Sequence, residues 1–109
     1  MAERSKRIAV YDAEKIKLIN PETLSLLRKY EIDLSLRELS ENTLNAYRSD
    51  LYQWWIYVYD FQGNKPVTEI DEDDLTEFFF YCKQQGNNSR RMRRRMSSVS
   101  AFFIFLKKK

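Results

Sequence analysis

The sequence predicts an all-α fold, a compact bundle of four helices with room for a fifth in its N-terminal arm. Three observations carry this. Apolar residues recur three and four positions apart along four separate stretches, the period of a helix with one buried side. The connections between those stretches are short, three to twelve residues, which favours one compact bundle over separate lobes. Only two Gly and two Pro occur in 109 residues, too few for the turns of a sandwich or barrel. With 43% hydrophobic and 15% aromatic residues the chain can fill one modest core, so its length reads as a single domain.

Residues 1–19 mix charge with Ile8, Val10, Tyr11, Ile16 and Leu18 in no sustained period, and read as an arm with a short helix near residues 12–18. Asn20 and Pro21 then announce a helix, because Asn caps free amides and Pro fits the first turn. Residues 21–37 present Leu24, Leu27, Tyr30 or Glu31, and Leu34 along one side. Ser40 is the next cap, with Glu41 placed to favour the helix dipole. The helix over residues 41–59 carries the longest regular stripe in the chain: Leu44, Tyr47, Leu51, Trp54, Trp55 and Val58. It is expected to be a core helix, with Tyr47, Trp54 and Trp55 as packing residues. The stretch DFQGNKP, residues 60–66, ends it.

Asp71 caps a third helix whose first turn holds Glu72, Asp73 and Asp74. These carboxylates read as capping and solvation rather than a metal site, since neighbouring acids on a helix point apart. Leu75, Phe78, Phe79 and Cys82 form its apolar side out to about residue 85, and Gly86 stops it. Asn87 and Asn88 link to Ser89, read as the cap of the fourth helix. Here Met92, Met96, Val99, Phe103 and Leu106 make one apolar stripe. With Met92 set at 0° and about 100° added per residue, Arg90, Arg93, Arg94, Ser97 and Ala101 fall on roughly the opposite side. Arg95, at about 300°, is expected to be packed or bridged to the body. Phe102 and Phe105 lie off the stripe and either complete the core or meet a further domain or protomer.

Charge is divided unevenly. Residues 86–109 hold eight basic and no acidic residues, which leaves eleven basic against sixteen acidic residues in 1–85. A solvated helix face mixes signs; five arginines in six positions (Arg90, Arg91, Arg93, Arg94, Arg95) call for a polyanion. The lone Cys82 supplies no disulfide framework and suits a reducing cytoplasm. The chain has no His, no Walker-type loop, no GxSxG and no CxxC, so a complete enzyme within these residues is not expected, nor a cofactor or metal. No apolar run approaches the length of a membrane span, and no membrane partner is expected.

The order of these signals resembles the N-terminal core-binding domain of the tyrosine recombinases, the phage integrase family. The family pattern S-x-N-T-x-x-x-Y-x-x-D-L-x-x-F stands here as Ser40, Asn42, Thr43, Tyr47, Asp50, Leu51 and Trp54, with Trp in place of the usual Phe. A second signal appears as Glu69, Ile70, Asp71, Asp74, Leu75 and Phe78. The last is a basic stretch followed by residues 96–106, MSSVSAFFIFL, against the family's "l-s-a-l-r-x-f-f-x-f-l". The likeness covers residues 21–107, and divides the chain into an arm (1–19), a core-binding domain (20–107) and the start of an interdomain linker (108–109).

The resemblance implies a SAM-like DNA-binding domain of a site-specific recombinase, acting on double-stranded DNA of a phage or mobile element in a bacterial cytoplasm. The catalytic Arg, His and Tyr of the family would lie beyond Lys109. Carried over by position, the DNA-facing candidates on the second predicted helix are Asn42, Thr43, Asn45, Ala46 and Ser49, with Arg48 on its flank reaching for phosphate. On the fourth they are Ser89, Arg90, Arg91, Arg93, Arg94 and Ser97. Other protomers on DNA are implied partners of the intact protein, the isolated domain being monomeric. Two other functions suit the same basic helix: a helical module docking an acidic protein, and a stand-alone DNA-binding regulator.

Overall fold

The computed structural model describes residues 13–108. Its elements are α1 (Ala13–Ile16), α2 (Pro21–Ser35), α3 (Glu41–Phe61), a 3-10 turn at Val67–Glu69, α4 (Glu72–Gln84) and α5 (Ser89–Lys107), with no strand among the described residues. The long helices are the four expected from the sequence, and α1 is the short one in the arm. Ile8, Val10 and Tyr11 of that arm lie outside the described residues, as does Lys109.

Local chemistry sets the helix starts. Asn20 Oδ1 accepts from the Thr23 amide at 2.8 Å, and Asn20 Nδ2 donates to the carbonyls of Asn64 (3.2 Å) and Lys65 (3.1 Å). Asn64 answers from the loop after α3: its Oδ1 accepts from the Asn20 amide and its Nδ2 donates to the Leu18 carbonyl. Asn64 does this from φ 53°, a left-handed conformation that Asn tolerates better than most residues. Ser40 caps α3, and Asp71 and Asp74 form a reciprocal capping box at α4. The cap of α5 is Asn88, one residue earlier than the sequence suggested: its Oδ1 accepts from the Arg91 amide at 2.8 Å, and Ser89 is already helical.

α3 is the axis of the bundle. Every residue from Asp50 to Val58 is buried, so over that span it is a central helix and not an amphipathic one with a wet side. Trp55 packs edge-on against Phe102 of α5, Tyr57 against Phe78 of α4, and Arg48 pairs with Glu31 of α2. Lys15 of α1 is bonded to Asp60 near the other end.

α5 sits differently from expectation. Its buried residues are Arg95, Ser98, Val99, Phe102 and Phe105; Met96 is exposed, and Met92, Phe103 and Leu106 are half-buried. The packed side is therefore turned by about 80° from the predicted stripe, counting 100° per residue. Two aromatic rings decide the orientation, because each buries far more area than a methionine. Phe102 meets Tyr30 and Trp55, both at 5.2 Å between ring centres, and Phe105 meets Tyr30 at 4.9 Å. That turn carries Arg95 and Ser98 into the core alongside the rings.

Candidate nucleic-acid interface

Two polar residues within the buried run of α3, Asp50 and Gln53, receive the arginines that α5 turns inward. Asp50 is 1% exposed. Its carboxylate accepts from Arg94 Nη2 (2.8 Å, Oδ1), Arg94 Nε (3.1 Å, Oδ2) and Ser98 Oγ (2.8 Å, Oδ2). Arg95 Nη1 lies 3.7 Å from Asp50 Oδ1 without a hydrogen bond. Arg95 is instead held by Asn87 Oδ1 on Nε (2.7 Å) and Gln53 Oε1 on Nη2 (2.6 Å). One buried carboxylate thus faces two guanidinium groups, and the cluster keeps a net positive charge. Burial pushes Arg95 below the ordinary arginine range, whereas the Asp50 hydrogen bonds raise Arg94 above it; both stay protonated at any biological pH.

The sequence-predicted residues separate into three groups. Arg90, Arg91 and Arg93 are exposed, and no acidic side chain among the described residues pairs with them. Ser89 and Ser97 of the same helix are exposed too, and so are Asn42 and Asn45 at the start of α3. At the head of α5 the Asn88 cap takes the Arg91 amide, which leaves the amides of Ser89 and Arg90 for solvent or an anion.

A second group is bonded to neighbouring side chains of the protein. Arg94 keeps 46% of its side chain exposed, as the sequence expected, but the rotation of α5 brings it to the seam with α3, where it also bridges to Asp50. Arg48 is likewise drawn to α2, donating to Glu31 Oε2 at 2.9 Å and to Asn45 Oδ1 at 3.0 Å. Arg95 is packed and bonded to the body, as its wheel position indicated.

The third group, Thr43 and Ser49, is bonded within α3 and its cap. Thr43 is tied to the Ser40 cap, accepting from its hydroxyl at 2.9 Å. Ser49 Oγ accepts from Gln53 Nε2 at 3.2 Å, so a chain of contacts runs from Ser49 through Gln53 and Arg95 to Asn87. With the Asp50–Arg94 bridge beside it, this chain locks the middle of α3 to the first half of α5. A polar cleft of about 450 Å³ opens at that end, lined in part by Gln53, Cys82, Gln85, Asn88, Arg91 and Arg95. Burial pushes the Cys82 thiol above its ordinary value, which leaves it a neutral core group.

The sequence reading missed Asp50 and Gln53 as anchors of the basic helix. A signal was present: Asp50 precedes Trp54 by four residues and Tyr57 by seven, which sets it on a packed side of α3 where an unpaired carboxylate is not tolerated.

The fold and its charge define a class first, a small all-α domain that presents one basic helix fastened to a central apolar one. The family model described as "Phage integrase, N-terminal SAM-like domain" matches residues 27–109, and the chain belongs to that family. The match begins within α2 and takes in α3, α4 and α5 whole. Comparison with curated proteins and with solved structures returned no match.

Proposed function

We propose that this domain binds double-stranded DNA as the core-binding part of a site-specific tyrosine recombinase, holding a recombination half-site with the first halves of α3 and α5. The observation that supports it is the set of three exposed arginines, Arg90, Arg91 and Arg93, at the head of a helix whose first amides are open. Arginine forks match phosphate and guanine edges, and helix N-termini favour anions. Asn42, Asn45, Ser49, Ser89 and Ser97 supply shorter polar contacts around them. Cleavage and rejoining would belong to a catalytic domain of the full-length protein. Other protomers would assemble on the same DNA, in the cytoplasm of a bacterial host.

Fluorescence anisotropy with a labelled duplex across a salt series tests the reading. The wild-type chain should show log K falling against log salt with a slope of about −4 to −5. Replacing Arg90, Arg91 and Arg93 together by Ala should flatten that slope by about 2 to 3, at roughly 0.9 per phosphate contact. No binding to any duplex at low salt overturns the reading.

A second reading has one observation in its favour. Leu75, Phe79, Met96, Phe103 and Ile104 line an apolar groove of about 560 Å³ between α4 and α5, the kind of surface that suits a protein partner. A basic helical module docking an acidic protein would bind that partner and leave the duplex unshifted.

A further inference from the structure

We infer that Asp50 is a positioning residue for DNA contact: it fixes Arg94 as an oriented donor at the centre of the α3–α5 face. The inference rests on the DNA-binding reading above. Asp50 is buried and grips Arg94 through two nitrogens, Nε and Nη2, the planar two-point pairing that only arginine makes. Ser98 holds the same carboxylate from within α5, so the acceptor cannot turn to follow its partner. Yet the Arg94 side chain keeps 46% of its surface exposed, against 5% for Arg95. A guanidinium has five N–H groups, and the bridge uses two. The Nη1 edge and one Nη2 hydrogen are left for an outside acceptor.

Position gives this donor its use. Arg94 lies one helical turn beyond Arg90 and one residue from Arg93, and its anchor Asp50 lies one residue from Ser49 on α3. Of the two arginines that tie α5 to α3, it is the exposed one. Arg90, Arg91 and Arg93 each lose side-chain rotamer freedom when they grip a phosphate; Arg94 has already lost its own on folding. A pre-set donor fixes the register of the duplex, and the three exposed ones add charge.

The sign of one substitution separates positioning from plain electrostatics. Asp50→Asn keeps the side-chain shape and removes a negative charge beneath a basic face. If Asp50 acts only through its charge, the variant binds duplex more tightly than wild type. If it positions Arg94, the variant binds more weakly, by about threefold to tenfold, although its net charge is more positive. Anisotropy with a 30-base-pair duplex of random sequence, alongside thermal melts, reads this directly.

Asp50→Asn should also be without effect on affinity in an Arg94→Gln background, because its influence passes through Arg94. Arg94→Lys, at a half-exposed site, preserves the fold and the charge but not the two-point grip; it should lose affinity with the salt slope unchanged. A folded Asp50→Asn that binds as tightly as wild type or tighter overturns the inference, as does an Arg94→Lys indistinguishable from wild type. In both of those outcomes the wild-type chain still binds duplex, so the DNA-binding reading stands. If the wild-type chain binds none, that reading fails and the inference with it.

Discussion

Arg95 of α5 donates to Gln53 of α3 through a 2.6 Å hydrogen bond at a site where the guanidinium is almost wholly enclosed. Burying a charge is costly unless it is paired and bonded: Gln53 and Asn87 take two of its nitrogens, and Asp50 lies 3.7 Å from the third, Nη1, which has no hydrogen-bond partner. Gln53→Ala should therefore cost about 2 kcal/mol or more, from a stranded donor and a small cavity. Asn87→Ala should cost less, because Asn87 is half-exposed and water can take its place. Urea denaturation of both variants gives the comparison, and equal losses would contradict the burial argument.

The helices were legible because their punctuation is local. Asn20, Ser40 and Asp71 cap as their chemistry requires, and Gly86 sits at φ 93°, where only glycine is at ease. The rotation of α5 was not legible, since the packed side mixes Arg95 and Ser98 with Val99, Phe102 and Phe105, and the choice falls to partners on other helices. Trp55 and Tyr30 select Phe102, and Asp50 then claims Arg94. A wheel drawn on one helix contains neither partner. The same limit explains Arg48, whose tie to Glu31 spans seventeen residues. The free arginines were legible because residues 86–109 contain no acid to quench them.

That rotation is itself measurable. Phe102 is fully buried among Tyr30, Trp54 and Trp55, so Phe102→Ala should cost about 3 to 5 kcal/mol. Met96 is exposed, and Met96→Ala should cost less than about 1 kcal/mol. Chemical denaturation of the pair settles which side of α5 is packed; the reverse order would restore the stripe drawn from sequence.

The start of α5 gives a sharper local check. Asn88 supplies the side-chain oxygen for the Arg91 amide, whereas Ser89 lies inside the helix. Asn88→Ala should cost about 1 kcal/mol, the usual loss of a cap. Ser89→Ala should change stability by no more than a few tenths, in either direction. A larger loss at Ser89 than at Asn88 would move the helix start by one residue. The head of α5 orients the amides offered to DNA, so Asn88→Ala should also weaken duplex binding modestly at a temperature where the fold is intact.

Acid sensitivity should trace in part to the start of α4. Lys65 Nζ donates to Asp74 Oδ2 at 2.9 Å, and the Asp71 amide donates to the same oxygen at 3.1 Å. The lysine hydrogen bond first, and the Asp71 backbone second, hold the Asp74 carboxyl below its ordinary value of 3.8. A folded-state value lower than the unfolded one stabilises the protein fully above the unfolded value. That stabilisation drains away as pH falls from about 3.8 through the lower folded value. Lys65 is raised by the same bond, so on the alkaline side the stabilisation is whole below 10.5 and is lost as pH climbs through the raised folded value. Between those limits both partners contribute. Lys65→Met should therefore unfold at lower urea than wild type near neutral pH, and the gap should shrink and close as Asp74 protonates in acid. An NMR titration of the Asp74 carboxyl carbon should place its midpoint higher in Lys65→Met than in wild type, though still below 3.8 while the Asp71 amide remains bonded. A stability gap that stayed constant from neutral pH into strong acid would mean that Lys65 acts through the packing of its carbon stem and not through its charge.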